Sequence, residues 1–134
     1  MNWTNLEQSK KFLALGVNPQ SADMGICVCV DDTERYLPID DWDLPKNGED
    51  GTKFYPSWSV GALIDLMPLC IGESAPFFLH VTNSYVEYAN AIKGVGIYYS
   101  AGTNGLIDAC FKMVVWLIEN KYIKVKEQNV ETEE

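Results

Sequence analysis

Residues 105–120 constrain this chain most. Leu106, Ala109, Cys110, Met113, Val114, Leu117 and Ile118 recur at helical spacing. At about 100° per residue they merge into one broad apolar face. A helix with such a face must bury it against another layer. Thr103, Asn104 and Gly105 start the helix, and it runs to about Asn120. Asp108 and Lys112, four residues apart on the opposite face, are placed to pair. Val115 falls among Asp108, Lys112 and Glu119, with Trp116 on the rim. An apolar residue on that polar face makes Val115 and Trp116 the candidate surface for a homo-oligomer.

The layer beneath is legible just upstream. Phe77 to Val81, Tyr85 to Ala89 and Val95 to Tyr99 read as short strands. Thr82-Asn83-Ser84 and Lys93-Gly94 separate them as turn signals. Runs joined so tightly predict an antiparallel meander. Further back, Thr4-Asn5-Leu6-Glu7 has the form of a capping box, opening a helix over residues 4–15 that Gly16 stops. Met24 to Val30 reads as a strand apolar on both faces, and a short strand is expected near Arg35 to Ile39. Lys53-Phe54-Tyr55 is a further short strand before Pro56. Ser57 or Ser59 then caps a second helix carrying Val60, Leu63, Ile64 and Met67, which ends at Pro68. The expected fold class is α+β. It has an antiparallel sheet of four or five strands with a C-terminal meander, and three amphipathic helices packed on one face. Residues 1–123 form one domain, and residues 124–134 form a polar, acidic, disordered tail.

A chain of 134 residues can bury a core without staples. Cys27, Cys29, Cys70 and Cys110 are therefore expected as reduced, mostly buried thiols. Cys27 and Cys29 are too close on one strand face to bridge. The N-terminal residues do not form a secretory signal. The longest strongly apolar run, Met113 to Ile118, falls far short of the roughly 20 residues a membrane span needs. A cytoplasmic protein is expected.

The formal charge is −9, which argues against direct binding of nucleic acid. It leaves room for a protein partner with a basic surface, and for an acidic mimic of nucleic acid. Mimicry needs carboxylates arrayed at phosphate-like spacing, whereas here they cluster. Asp31, Asp32, Asp40, Asp41, Asp43, Glu49 and Asp50 sit in one polar stretch over residues 31–53. Long loops of this kind are often functional. Asp41 to Gly48 has a superficial likeness to a calcium loop, but Pro45 occupies the third ligand position. The cysteines lack zinc-knuckle spacing, and neither Gly94-Val95-Gly96 nor Gly102 to Gly105 forms a nucleotide fingerprint. No metal and no cofactor is expected.

His80 is the single histidine. As a general base it would need an orienting carboxylate and a nucleophile, and a cysteine is the conceivable partner. No local signature surrounds it, so a structural role is favoured. The aromatics carry more weight. Trp42 lies within the acidic stretch and Trp58 beside Pro56. A large ring among carboxylates makes a partner anchor, so the candidate partner-binding residues are Asp40, Asp41, Trp42, Asp43 and Trp58. The alternative is that both rings fold back onto the core.

Three blocks carry a resemblance: Gln20 to Met24, Pro56 to Leu63 and Asp108 to Asn120. Together they resemble a group of small uncharacterised proteins from phages and integrated elements of gut anaerobes. The resemblance implies a bacterial cytoplasmic, phage-related setting and no catalytic residue. The leading expectation is a small non-enzymatic protein that binds and modulates another protein. The alternatives are a small enzyme or ligand-binding domain using His80 and a cysteine, and the acidic mimic.

Overall fold

The computed structural model describes residues 2–39 and 51–125. The fold is α+β, with three α-helices and two antiparallel sheets among the described residues. It divides into two compact units, built mainly on Trp3–Ala62 and Leu63–Lys124.

In the first unit, α1 spans Leu6–Leu15. Its cap sits one residue later than the Thr4 box predicts. The Asn5 side chain accepts from the Gln8 amide (2.8 Å), and the Gln8 side chain accepts from the Asn5 amide (3.1 Å). Gly16 closes the helix at φ 92°, a left-handed cap that glycine adopts without a Cβ clash. Three strands follow: β1 (Met24–Val28), β2 (Glu34–Pro38) and β3 (Lys53–Ser57). They pair in the order β2-β1-β3, all antiparallel, so β1 is central. Pro56 is tolerated in β3 because β3 is an edge strand.

Thr4 is displaced from its capping role because it is completely buried. Its hydroxyl shares hydrogen bonds with Ser9 Oγ (2.8 Å) and Ser57 Oγ (3.2 Å) and accepts from the Trp58 amide (3.0 Å). Ser57 Oγ in turn donates to the Thr4 carbonyl (2.7 Å), and the Thr4 amide donates to the Trp58 carbonyl (2.9 Å). The segment before α1 is thus fastened to the end of β3, and every hydroxyl in the cluster has a partner, as burial requires.

Helix α2 (Val60–Leu66) carries the chain from the first unit into the second. Of the two serines proposed as its cap, Ser59 does the work: its hydroxyl accepts from the Ala62 amide (3.1 Å). Asp23 fixes Ser59 by accepting from both its amide and its hydroxyl.

The second unit is the meander with its helix. Strands β4 (Cys70–Ile71), β5 (Phe77–Val81), β6 (Tyr85–Asn90) and β7 (Gly94–Ser100) lie in sequence order. The β5–β6 turn is held by Thr82 Oγ1, which accepts from the Ser84 and Tyr85 amides. The β6–β7 turn is held by Asn90 Oδ1, which accepts from the Ile92 and Lys93 amides. Helix α3 (Gly105–Glu119) packs on β6 and β7. It buries Ile107, Ala109, Cys110, Met113, Val114, Leu117 and Ile118, while Val86 and Tyr88 are buried on β6. Asp108 and Lys112 pair at 3.0 Å, as their spacing predicts.

Among the described residues the strands number seven and form two sheets. A reading that seeks one sheet of four or five joins what the chain keeps separate. The α+β class, the meander and the packing of helices against strands are as expected.

Candidate functional site

Among the described residues, the meander buries one face and leaves side chains on the other largely exposed. Along β6, Val86 and Tyr88 point to the buried side, so Glu87 and Ala89 point to the other. Register extends this second face across the sheet. Glu87 stands opposite His80 on β5 and Tyr98 on β7, while Ala89 stands opposite Phe78 and Val95. Cys70 on β4 lies opposite Phe78. Phe78 is 52% exposed, Val95 57% and Tyr98 48%. Three large apolar or aromatic side chains are thus presented on one open face. Isolated exposed apolar residues are ordinary, but several on one face mark an interaction surface. The Tyr98 ring lies 5.4 Å from that of Tyr85, which stiffens this part of the face.

At its centre is a polar pair. His80 Nδ1 lies 3.2 Å from Glu87 Oε2, with the His80 side chain 55% exposed and that of Glu87 only 13%. The carboxylate can hold the imidazole in one orientation. Histidine and carboxylate are thus brought together, which sequence alone could not show. The cysteine is less well placed. Cys70 faces Phe78 rather than His80 and is one diagonal step away, about 7 Å between directly related strand positions. Among the described residues, no three His, Cys, Asp or Glu side chains gather as a metal site would require.

The cysteines do not share one environment. Cys110 is fully buried, and burial pushes its thiol up to about 11. Cys27 and Cys29 are half-buried, while Cys70 is exposed. Cys70 therefore departs from the expected small buried hydrophobe, because the two-residue β4 turns it onto the open face. Burial likewise raises the Tyr88 phenol far above its ordinary range, with an electrostatic contribution from Cys70 a smaller cause. Its hydroxyl donates to the Pro68 carbonyl (2.6 Å), making Tyr88 a fixed strut.

Of the partner-binding residues proposed from sequence, Asp40, Asp41, Trp42 and Asp43 lie outside the described residues, as does the acidic tail from residue 126. Trp58 is described, and it is completely buried. Its ring meets Phe12 edge-on at 5.0 Å, and its Nε1 donates to Ser21 Oγ (2.9 Å). The alternative reading, a ring folded into the core, describes Trp58, which presents no surface to a partner. At the near end of the acidic stretch, Asp31 is exposed. Hydrogen bonds from the Thr33 hydroxyl and amide hold its carboxyl below the ordinary value. On α3, Val115 and Trp116 are half-buried, and the Trp116 ring stacks on Tyr122 at 5.7 Å. Among the described residues no helix is long and apolar enough to cross a membrane.

A shallow groove of about 510 Å³ lies in the first unit, lined by Asn5, Leu6, Glu7, Lys10 and Glu34. Its mixed charges on flexible side chains form no convergent set. Sequence reading placed Phe78, Val95 and Tyr98 on short strands of the meander without assigning either face to solvent. Period-2 alternation sets Phe78 and His80 on one side of β5 and Leu79 and Val81 on the other, but it does not say which side is covered, and the register shift on β7 brings Val95 and Tyr98 to one face against that period.

Comparison with family models, with curated proteins and with solved structures finds no match to this chain.

Proposed function

We propose that this is a small non-enzymatic interaction protein that docks another protein on the open face of its four-stranded sheet. The observation that carries the reading is the exposure of Phe78, Val95 and Tyr98 together on that face. Apolar anchors of this kind supply most of the affinity in protein interfaces. The chain's charge of −9 selects a partner whose matching surface has a basic rim. Such complementarity chiefly raises the association rate and excludes acidic competitors. The stretch with Asp40, Asp41, Trp42 and Asp43 adds to that attraction. The phage-related, cytoplasmic setting rests on the resemblance of the three sequence blocks.

The test is capture from a bacterial lysate by immobilised protein, run in parallel with Phe78→Ser and Val95→Ser variants whose folding is checked by circular dichroism. A protein retained by the parent and lost from both variants supports the reading. Equal retention by all three overturns it.

The contact between His80 and Glu87 favours a second reading, a thiol-dependent activity using His80 and Cys70. It requires the imidazole to assist the thiol. An alkylation rate of Cys70 that is unchanged by His80→Gln contradicts it.

A further inference from the structure

Two of the four thiols stand on one face of the central strand of the first unit. Cys27 lies in β1. Cys29 continues the β1–β2 ladder beyond the strand's end, because its amide donates to the Thr33 carbonyl at 2.8 Å. Residues two apart on a strand point the same way, so both side chains lie on the face opposite that of Ile26. Ile26 is completely buried, whereas Cys27 and Cys29 are half-buried thiols.

The neighbours follow from register, which runs along β1 without a shift on either side. Arg35 on β2 and Phe54 on β3 stand directly opposite Cys27. Cys29 and Thr33 are hydrogen-bonded partners, so alternation makes Cys27 and Arg35 the next such pair. Cys27 and Phe54 then form a non-hydrogen-bonded pair, the kind whose side chains stand closest, with Cα atoms about 4.5 Å apart. Leu37, opposite Gly25 on the same face, is 52% exposed.

We infer that Cys27 and Cys29 bind one Cu(I) ion between their thiolates. The ligand count selects the metal. Zinc takes three or four protein ligands, and among the described residues no third His, Cys, Asp or Glu joins the two thiols. Cu(I) is soft, prefers thiolate sulfur, and as a closed-shell ion is satisfied by two sulfurs in line. Strand rise sets the two Cα atoms about 6.7 Å apart. Metal–sulfur bonds of about 2.3 Å, the zinc value, ask for sulfurs about 4.6 Å apart. Each sulfur therefore leans along the strand by about 1 Å, which rotation about χ1 supplies. Binding forms two copper–sulfur bonds, releases two protons to solvent and changes no oxidation state.

The surroundings suit this ion. Two thiolates and one Cu(I) carry a net charge of −1, on a chain already at −9. Arg35, opposite Cys27, places a cation where it offsets that charge. Phe54 and Leu37 supply an apolar flank, which limits the access of water to the metal–sulfur bonds. The site belongs to the first unit and does not depend on the docking reading, whose residues all lie in the second.

Anaerobic titration with Cu(I), in competition with the chromophoric chelator bicinchoninate, tests the inference. A Cys70→Ser background removes the exposed thiol from competition. That protein should withdraw one equivalent of Cu(I) from the chelator while remaining monomeric in sedimentation. X-ray absorption should show two sulfur neighbours at the copper and no nitrogen or oxygen. Cys27→Ser and Cys29→Ser, each checked for folding by circular dichroism, should each lose the equivalent. Adding Val28→Cys to Cys29→Ser puts the second thiol on the opposite face and should not restore it. No uptake by the Cys70→Ser protein overturns the inference. So does uptake that survives in either serine variant or returns with Val28→Cys, and so does copper with nitrogen or oxygen neighbours or an ion held between two copies.

Discussion

Replacing Thr4 with valine preserves its shape and removes only its hydroxyl. That hydroxyl is the acceptor for the Trp58 amide and a hydrogen-bond partner of Ser9, in a cluster with no exposure to water. Removing it leaves two buried polar groups short of a partner, at about 1–3 kcal/mol each. The added methyl returns about 0.8 kcal/mol of apolar burial. The third contact, to Ser57, is longer, and Ser57 keeps its bond to the Thr4 carbonyl. The expected net loss is about 3 kcal/mol. Thr4→Ser does the opposite, keeping the hydroxyl and losing the methyl, at about 1 kcal/mol. Serine is therefore the milder change, although valine is the closer match in volume. Urea denaturation followed by far-ultraviolet circular dichroism gives both values from the midpoints at a common slope. A Thr4→Val protein as stable as Thr4→Ser would refute the argument, because it would mean that packing, not the hydroxyl cluster, fastens the segment before α1 to β3.

Other perturbations read other parts of the fold. Gly96→Ala should cost about 1–3 kcal/mol by overpacking, because the new Cβ would sit 3.0 Å from the Phe77 ring; a thermal midpoint equal to the parent's contradicts the close approach. A thiol reagent applied to the folded protein should label exposed Cys70 and spare buried Cys110 until denaturant is added, with peptide mapping as the readout. The Cys110 thiol is raised to about 11 in the fold against an ordinary 9.0, so the folded state keeps a proton that the unfolded state releases. Stability should therefore fall as pH rises through that interval, and urea midpoints should show a shallower fall in Cys110→Ala. Replacing Asp40, Asp41 and Asp43 with Asn and Trp42 with Ser should weaken partner capture and its sensitivity to salt; unchanged capture would remove that stretch from the account.

Helix α3 was legible because seven apolar residues at helical spacing leave few alternatives, and the meander because Thr82-Asn83-Ser84 and Lys93-Gly94 mark its turns, which Thr82 and Asn90 then hold by hydrogen bonds. Local signals were misread where a distant partner took the residue. Thr4 has the right chemistry for a cap, yet Ser57 and Trp58 claim its hydroxyl from more than fifty positions away, and Asn5 caps instead. Trp58 looked like a surface anchor beside a proline, but Phe12 and Ser21 hold it inside. Strand β4 was invisible because two residues carry no periodicity. The candidate site was the hardest to read. Exposure of Phe78, Val95 and Tyr98 depends on which face of the meander α3 covers, and an apolar residue in a strand gives no sign of whether a helix lies over it. The meeting of His80 and Glu87 depends on strand register in the same way.

The most direct measurement places a photo-crosslinking phenylalanine analogue at Phe78, and separately at Lys112 on the exposed side of α3, and irradiates each protein in a bacterial lysate. Docking on the open sheet face predicts a discrete protein adduct from position 78 and none from position 112. No adduct at 78, or the same adduct from both positions, would contradict it.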